Sequence, residues 1–188
     1  MKRESFGILT LKGLGYVVLG NVLCLVMTVA VFVFGSNMIV KTIAVGCSAI
    51  IFFSLVFTAA WRNGAREHSL VKLGRVDSEV KYRWIAIGLI MFVFAAAPTV
   101  FLLANKLFFP EQDNLIIYQF ISGSAYPLVL TFTPRAESLV SQTSRVESMS
   151  VLFPVFMLLY YALIPVVTQL GFWVGYKDKF NPDKIMYK

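Results

Sequence analysis

Four long stretches of the chain carry no charged side chain and consist mainly of apolar residues. They cover about residues 14–34, 42–61, 84–104 and 151–174. A helix of roughly 20 residues crosses a hydrocarbon core of about 30 Å, and a helix bonds all of its own main-chain groups, as a membrane span must. The pattern therefore predicts an all-α integral membrane protein built as a four-helix transmembrane bundle.

The overall composition supports the same class. Of the 188 residues, 58% are hydrophobic and 14% are charged, and the mean hydropathy is +0.75. Such a chain has too little polar surface for a soluble domain, so we expect a single membrane domain over residues 1–188. The first apolar stretch follows Lys2, Arg3 and Lys12 but is too long for a signal peptide and lacks a small-x-small cleavage site. We interpret it as a retained signal anchor.

Positive charge is concentrated in residues 1–13, in the loop 62–83 and in the tail 175–188, which together hold 13 of the 17 Lys and Arg residues. Because these residues accumulate in cytoplasmic segments, we expect both termini in the cytoplasm and residues 105–150 on the outer side of the cell membrane. The same charge favours anionic lipid at the inner face as a partner, although insertion alone also accounts for it. No basic run interleaved with aromatic residues indicates nucleic-acid binding.

Three tryptophans lie at the predicted inner ends of the apolar stretches. Trp61 and Trp84 flank the loop 62–83, and Trp173 is close to the end of the last stretch. Tryptophan combines an apolar ring with one N–H group and is enriched at membrane–water boundaries. We therefore expect the three side chains to form a belt at one face.

Residues 115–133 are an uncharged run with an unusually polar middle. Three interpretations stay open: a helix and turn at the outer interface, a full fifth span, or a re-entrant hairpin broken at Gly123, with Pro127 preventing the helix from re-forming. Insertion does not require polar groups here, so we expect the segment to provide any ligand or partner contact. The residues concerned are Gln119, Ser122, Gly123, Ser124 and Tyr126. After Pro134, a short amphipathic helix is expected.

Polar and small residues inside the apolar stretches predict how the helices pack. If the inner membrane boundary lies at residue 14 in the first stretch and at residue 174 in the last, Asn21 and Gln169 lie at similar depths. Two amides in hydrocarbon gain from bonding each other, so we expect the first and last helices to be neighbours. Gly171 and Gly175 have the spacing of closely packed helices. Pro165 predicts a bend in the last helix.

Residues that commonly carry chemistry are absent from the four stretches. They contain no Asp, Glu, Arg or His, which counts against proton relays and membrane-embedded catalysts. Cys24 and Cys47 lie in apolar surroundings, and the single histidine, His68, has too few neighbouring ligands for a metal site. We expect no catalytic residues, cofactor or metal. The sequence favours a non-enzymatic component or accessory subunit of a membrane complex, which packs with another membrane protein or with itself. The alternative is a small solute transporter, or its substrate-binding subunit, that uses residues 115–133 as a lid or pathway.

Overall fold

A computed structural model describes residues 3–33, 37–76, 82–109, 115–132 and 150–177. These residues form helices and their connections, and none of them forms a strand, so the predicted all-α class is confirmed for this part of the chain. The amphipathic helix expected after Pro134 lies outside the described residues. The helices are α1 (Phe6–Phe32), α2 (Met38–Lys72), α3 (Arg83–Phe108), α4 (Leu115–Ile121), α5 (Tyr126–Phe132), α6 (Leu152–Tyr161) and α7 (Leu163–Tyr176).

Within the described residues, four helical rods are long and apolar enough to cross a membrane, in agreement with the predicted number of spans. They are α1, α2, α3 and the nearly continuous pair α6–α7, which covers Leu152–Tyr176. The pair is interrupted at Ala162, three residues before Pro165. Proline has no N–H to donate and its ring crowds the carbonyl four residues earlier, so it accounts for a break at this point.

Two of the rods extend beyond the predicted limits by eight residues or more at one end. Helix α1 begins at Phe6 rather than near residue 14, because the Ser5 side chain accepts a hydrogen bond from the main-chain N–H of Ile8. Helix α2 continues past Trp61 to Lys72, so half of the loop expected over residues 62–83 is helical. Its start is capped by the Asn37 side chain, which accepts from the N–H of Val40 at 2.9 Å.

The rods pack as a ring in the order α1, α2, α7, α3. Among the described residues, α2 makes its most extensive contact with α7, and α3 packs against α1, α6 and α7. Helices α1 and α7 therefore lie on opposite sides of the ring, and the prediction that they are neighbours is wrong. It failed because α1 starts earlier than assumed, which places Asn21 about 22 Å from the start of its helix, well beyond the depth of Gln169.

The centre of the ring is filled by aromatic and branched side chains. Phe52 of α2 is fully buried and lies edge-on to Tyr161, with 6.1 Å between ring centroids. Ile87 and Met91 of α3 and Val17 of α1 complete this layer, each with no exposed surface. The bundle thus has a continuous core to which all four rods contribute.

Trp84 belongs to this core and not to a boundary belt. It is 1% exposed, its ring stacks on Phe172 with 6.1 Å between centroids, and its indole N–H has no hydrogen-bond partner among the described residues. Trp173 is 42% exposed, and the Lys177 ammonium lies 4.1 Å from its ring centroid. The expectation of a belt of three tryptophans is therefore wrong for Trp84, since its helix turns this side chain inward.

Glycines allow α2 and α7 to come together over their last turns. A Cβ added at Gly171 would lie 2.7 Å from the main-chain oxygen of Phe57, and one at Gly175 would collide with that of Trp61. On the opposing helix, a Cβ at Gly64 would collide with the main-chain oxygen of Phe172. Main-chain atoms cannot rotate away as side chains do, so these three positions require glycine for this spacing.

Replacing one of these glycines is expected to separate the two helices. We predict that Gly64→Ala lowers stability by about 1–3 kcal/mol, the usual cost of overpacking. The thermal midpoint in detergent, followed by helical circular dichroism, measures it. Gly46→Ala on the same helix is the control, since no atom lies within 4 Å of its added Cβ. Equal midpoints for the two variants would show that the close approach does not matter for stability.

Charged side chains meet where α1 and α3 begin and α2 and α7 end, which we call the basic end of the bundle. Arg3 pairs with Glu67, and Arg66 pairs with Glu4. The Lys12 ammonium lies 2.7 Å from the same Glu4 oxygen. The Arg83 guanidinium donates to the main-chain carbonyl of Glu4 at 2.6 Å. This basic-end cluster, defined as Arg3, Glu4, Lys12, Arg66, Glu67 and Arg83, ties the start of the chain to α2 and α3.

The cluster makes stability depend on pH. The hydrogen bond from Lys12 and the pair with Arg66 hold the pKa of Glu4 below its ordinary value of 4.5, although burial acts in the opposite direction. A carboxylate whose pKa is lowered by folding stabilises the protein above its unfolded pKa, and this contribution disappears as the pH falls through the folded pKa. The thermal midpoint should therefore decrease below pH about 4.5, and less steeply in Glu4→Gln. Identical pH profiles for the two proteins would contradict this.

Candidate functional site

The polar segment 115–133 folds as two short helices joined by a buried turn. Helix α4 ends at Ile121 and α5 begins at Tyr126. The turn is closed by a hydrogen bond from the N–H of Ala125 to the carbonyl of Ser122, at 2.8 Å. All four turn residues, 122–125, are buried. The segment therefore does not form one continuous helix, which a full fifth span would require.

Ser124 attaches the turn to helix α1. Its main-chain N–H and its hydroxyl both donate to the side-chain oxygen of Asn21, at 3.0 and 2.8 Å. The same hydroxyl lies 3.1 Å from the phenolic oxygen of Tyr161 in α6. Asn21, Ser124 and Tyr161 thus form a chain of hydrogen bonds across three elements, which we call the polar clip.

Gly123 lets the turn lie directly against α1. A Cβ at this position would collide with the main-chain oxygen of Asn21 and lie 3.0 Å from the Cβ of Leu25. Gly123 lies in the turn, as expected, and among the described glycines only Gly74 has a positive φ, so Gly123 is required here for close approach. Pro127 lies in the first turn of α5, where proline favours a helix. The expectation that it prevents a helix from re-forming is wrong.

The remaining polar side chains of the segment face the bundle to different degrees. The Tyr118 hydroxyl lies 3.1 Å from that of Thr99 in α3, and the Ser122 side chain interacts with those of Tyr118 and Tyr161. Tyr126 is 7% exposed, whereas Gln119 is partly exposed. Of the residues proposed from sequence for ligand or partner contact, four are therefore buried in the bundle.

The polar clip lies near the middle of the bundle. Asn21 precedes the end of α1 at Phe32 by 11 residues, which is about 16 Å along the helix axis. The turn reaches this depth between α1, α2 and α6, while α4 contacts α3. The turn thus packs against α1 and α6 at the level of Asn21.

A cavity of about 390 Å³ lies beside the polar clip, between α1, α3 and α4. Its outer residues are well exposed, with Phe101 at 61% and Ile117 at 56%, so it opens at the side of the bundle. The lining is mostly apolar, and Tyr118, Ser122 and Asn21 supply the polar groups. The full lining is Asn21, Phe94, Ala95, Ala97, Pro98, Phe101, Leu102, Ile117, Tyr118, Ile121 and Ser122.

The orientation of the Asn21 amide follows from its contacts. The main-chain N–H of Ser124 can only donate, so the atom that it contacts must be the amide oxygen. The amide nitrogen, with its two N–H groups, makes no hydrogen bond to any residue that the structure describes. Asn21 thus lines the cavity and has an amide nitrogen that bonds none of the described residues.

The arrangement can bind and orient a molecule, but it offers little acid–base chemistry. Within the described ranges, no three His, Cys, Asp or Glu side chains lie close enough to hold a metal ion. Cys24 and Cys47 are free thiols. Hydroxyl and amide groups without a nearby carboxylate or imidazole have no base to activate them.

Sequence reasoning identified Asn21 and Ser124 but did not pair them. Tyr161 was missed altogether, because a tyrosine in an apolar helix usually serves packing and gives no distinct signal. No protein-family model, curated protein sequence or solved structure matches the chain.

Loss of the Ser124 hydroxyl is expected to weaken the polar clip. We predict that Ser124→Ala lowers stability by about 1 kcal/mol, since one donor to Asn21 and one partner of Tyr161 disappear. Thermal unfolding in detergent measures the effect. Ser54→Ala is a matched control, because this serine is exposed on α2. A midpoint for Ser124→Ala equal to that of the control would contradict the role of the clip.

Proposed function

We propose that the protein is a multi-pass component of the cell membrane, with α1, α2, α3 and α6–α7 as spans and both termini in the cytoplasm. The concentration of Lys and Arg in residues 1–13, 62–83 and 175–188 supports this orientation. It places the basic end at the inner surface. Helices α4 and α5 then form a re-entrant segment that enters from the outer side.

The polar clip supports the re-entrant location. Irregular main chain is tolerated at membrane depth only where protein or water satisfies its polar groups. The N–H of Ser124 donates to the Asn21 side chain, and the N–H of Ala125 donates to the carbonyl of Ser122. Ser122 and Ser124 are each 1% exposed. A turn bonded in this way can lie in hydrocarbon at little cost.

We further propose that the protein is a non-enzymatic accessory subunit that binds a helix of another membrane protein. The observation that carries this proposal is the unused amide donor of Asn21 at the wall of a cavity that opens sideways. In the proposed orientation, the cavity opens toward the lipid at about half depth. A side chain of a neighbouring span can enter it.

The amide donor favours a protein helix over a lipid as the occupant. At this depth a lipid presents hydrocarbon, which has no acceptor for the Asn21 N–H groups. A neighbouring helix can present a hydroxyl or amide oxygen, and such groups hold spans together in membranes. The apolar walls, with Phe94 and Phe101 at the rim, suit the aliphatic side chains around that acceptor.

Site-specific cross-linking in intact membranes tests this proposal. A photo-reactive phenylalanine analogue at position 101 should form a cross-link to one discrete membrane protein. The same analogue at position 159 should not, because Leu159 is exposed but does not line the cavity. Asn21→Leu should reduce the cross-link about threefold, which corresponds to about 0.6 kcal/mol for an interhelical hydrogen bond.

Ser124→Ala provides the matched control for this experiment. It weakens the polar clip, but the amide nitrogen of Asn21 stays available, so the cross-link should remain. Equal losses in Asn21→Leu and Ser124→Ala would mean that the clip, and not the donor, holds the partner. Equal cross-linking from positions 101 and 159 would count against the cavity as the contact.

A small solute transporter is the second candidate, and the same cavity favours it, since hydroxyl and amide groups lie beside an inserted segment. The polar clip argues against it. Ser124 is bonded on both sides and the turn is packed on α1 main chain, so the turn is held in place and is not free to move as a lid. Solute uptake by vesicles that contain this chain alone would favour the transporter.

A further inference from the structure

The charges of the basic-end cluster do not cancel. Four cationic side chains face two carboxylates. Glu67 forms an ion pair with Arg3, and Glu4 forms ion pairs with both Lys12 and Arg66. Arg83 donates to a neutral main-chain carbonyl and makes no salt bridge to a carboxylate among residues 3–33, 37–76, 82–109, 115–132 and 150–177. Counted over the six described residues that define the cluster, four cations and two carboxylates leave two positive charges.

The side chains that carry this excess charge are fixed by ion pairs and hydrogen bonds and do not belong to a solvated loop. Glu67 is 6% exposed, so its pair with Arg3 is largely removed from water. The Nε of Arg66 is buried and has no hydrogen-bond partner among the described residues. The carboxylates of Glu4 and Glu67 draw side chains from the start of the chain, α1 and α2 to one place, whereas a charge bias that only orients insertion requires no such contact.

The space inside the cluster is too small for a polyatomic anion. It measures about 20 Å³, which is room for about one water molecule. An anion that neutralises the excess must therefore lie on the outer surface of the cluster. The Lys12 and Arg66 side chains are 52% and 34% exposed, so part of each side chain is accessible there.

We infer that the basic-end cluster binds the phosphate of an anionic phospholipid, with Arg83 as the principal cation and Lys12 and Arg66 beside it. The guanidinium fork matches two phosphate oxygens. An open site of this kind retains a soluble anion weakly, whereas a phospholipid presents its phosphate at this level of the membrane. The inference uses the proposed orientation, but it is independent of partner binding at the cavity.

Native mass spectrometry tests the site on the full chain, released from micelles with equal amounts of phosphatidylglycerol and phosphatidylcholine. The wild-type protein should retain more phosphatidylglycerol. Arg83→Gln should lower the ratio of the two bound lipids about fivefold, the factor that corresponds to about 1 kcal/mol per basic residue at a membrane surface. Arg75→Gln is the matched control, because Arg75 is exposed and lies outside the cluster. Its ratio should equal that of the wild type.

Three outcomes would overturn the inference. One is equal retention of both lipids by the wild-type protein, and another is an equal loss in Arg75→Gln and Arg83→Gln. The third is displacement of the lipid by inorganic phosphate, which would assign the site to a soluble anion. Should Arg83→Gln not fold, Arg83→Lys keeps the charge without the fork and should lower the ratio by a smaller factor. Failure here leaves the cross-link at position 101 unaffected, so the two proposals fail separately.

Discussion

The turn between α4 and α5 imposes the strictest requirement on this bundle, because its main-chain groups are buried and must be bonded by the protein itself. Asn21 meets that requirement by accepting two hydrogen bonds from Ser124. The surrounding packing follows from this contact. Gly123 has to lack a side chain so that the turn can reach α1, and Tyr161 has to present its hydroxyl to Ser124 from the opposite wall. Three elements that are distant in sequence are thereby fixed at one level.

The rest of the bundle is held by contacts that leave no room for larger residues. At the basic end, Gly64 and Gly175 let α2 and α7 touch through main-chain atoms. Above them, Gly88 brings α3 against Thr168 and Pro165. These approaches bury the central aromatic layer around Phe52 and fix the order of the rods. In the proposed membrane location, a bundle of this kind gains its specificity from shape, since lipid offers little hydrophobic drive for helices to associate.

Long apolar runs were sufficient to predict the all-α class and the number of rods, because length and lack of charge are local properties. The ends of the rods could not be predicted in this way. The start of α1 depends on the Ser5 cap, and α2 continues through the region where Gly64 and Glu67 contact other elements. The inward position of Trp84 could not be derived either, because the side of a helix that faces its neighbours depends on the ring order. For the candidate site, sequence identified the unusual polarity of residues 115–133 and of Asn21. It did not give their pairing, which requires the depth of each segment.

The distance in sequence between the two halves of the polar clip has a consequence for synthesis. Ser124 follows Asn21 by 103 residues. At roughly 5–20 residues per second, the ribosome delivers the serine about 5–20 s after the asparagine. By the end of this interval α1, α2 and α3 have been made, and until then the Asn21 amide oxygen lacks the partner that it has in the bundle. The polar clip can therefore be completed only after the first three rods have been synthesised.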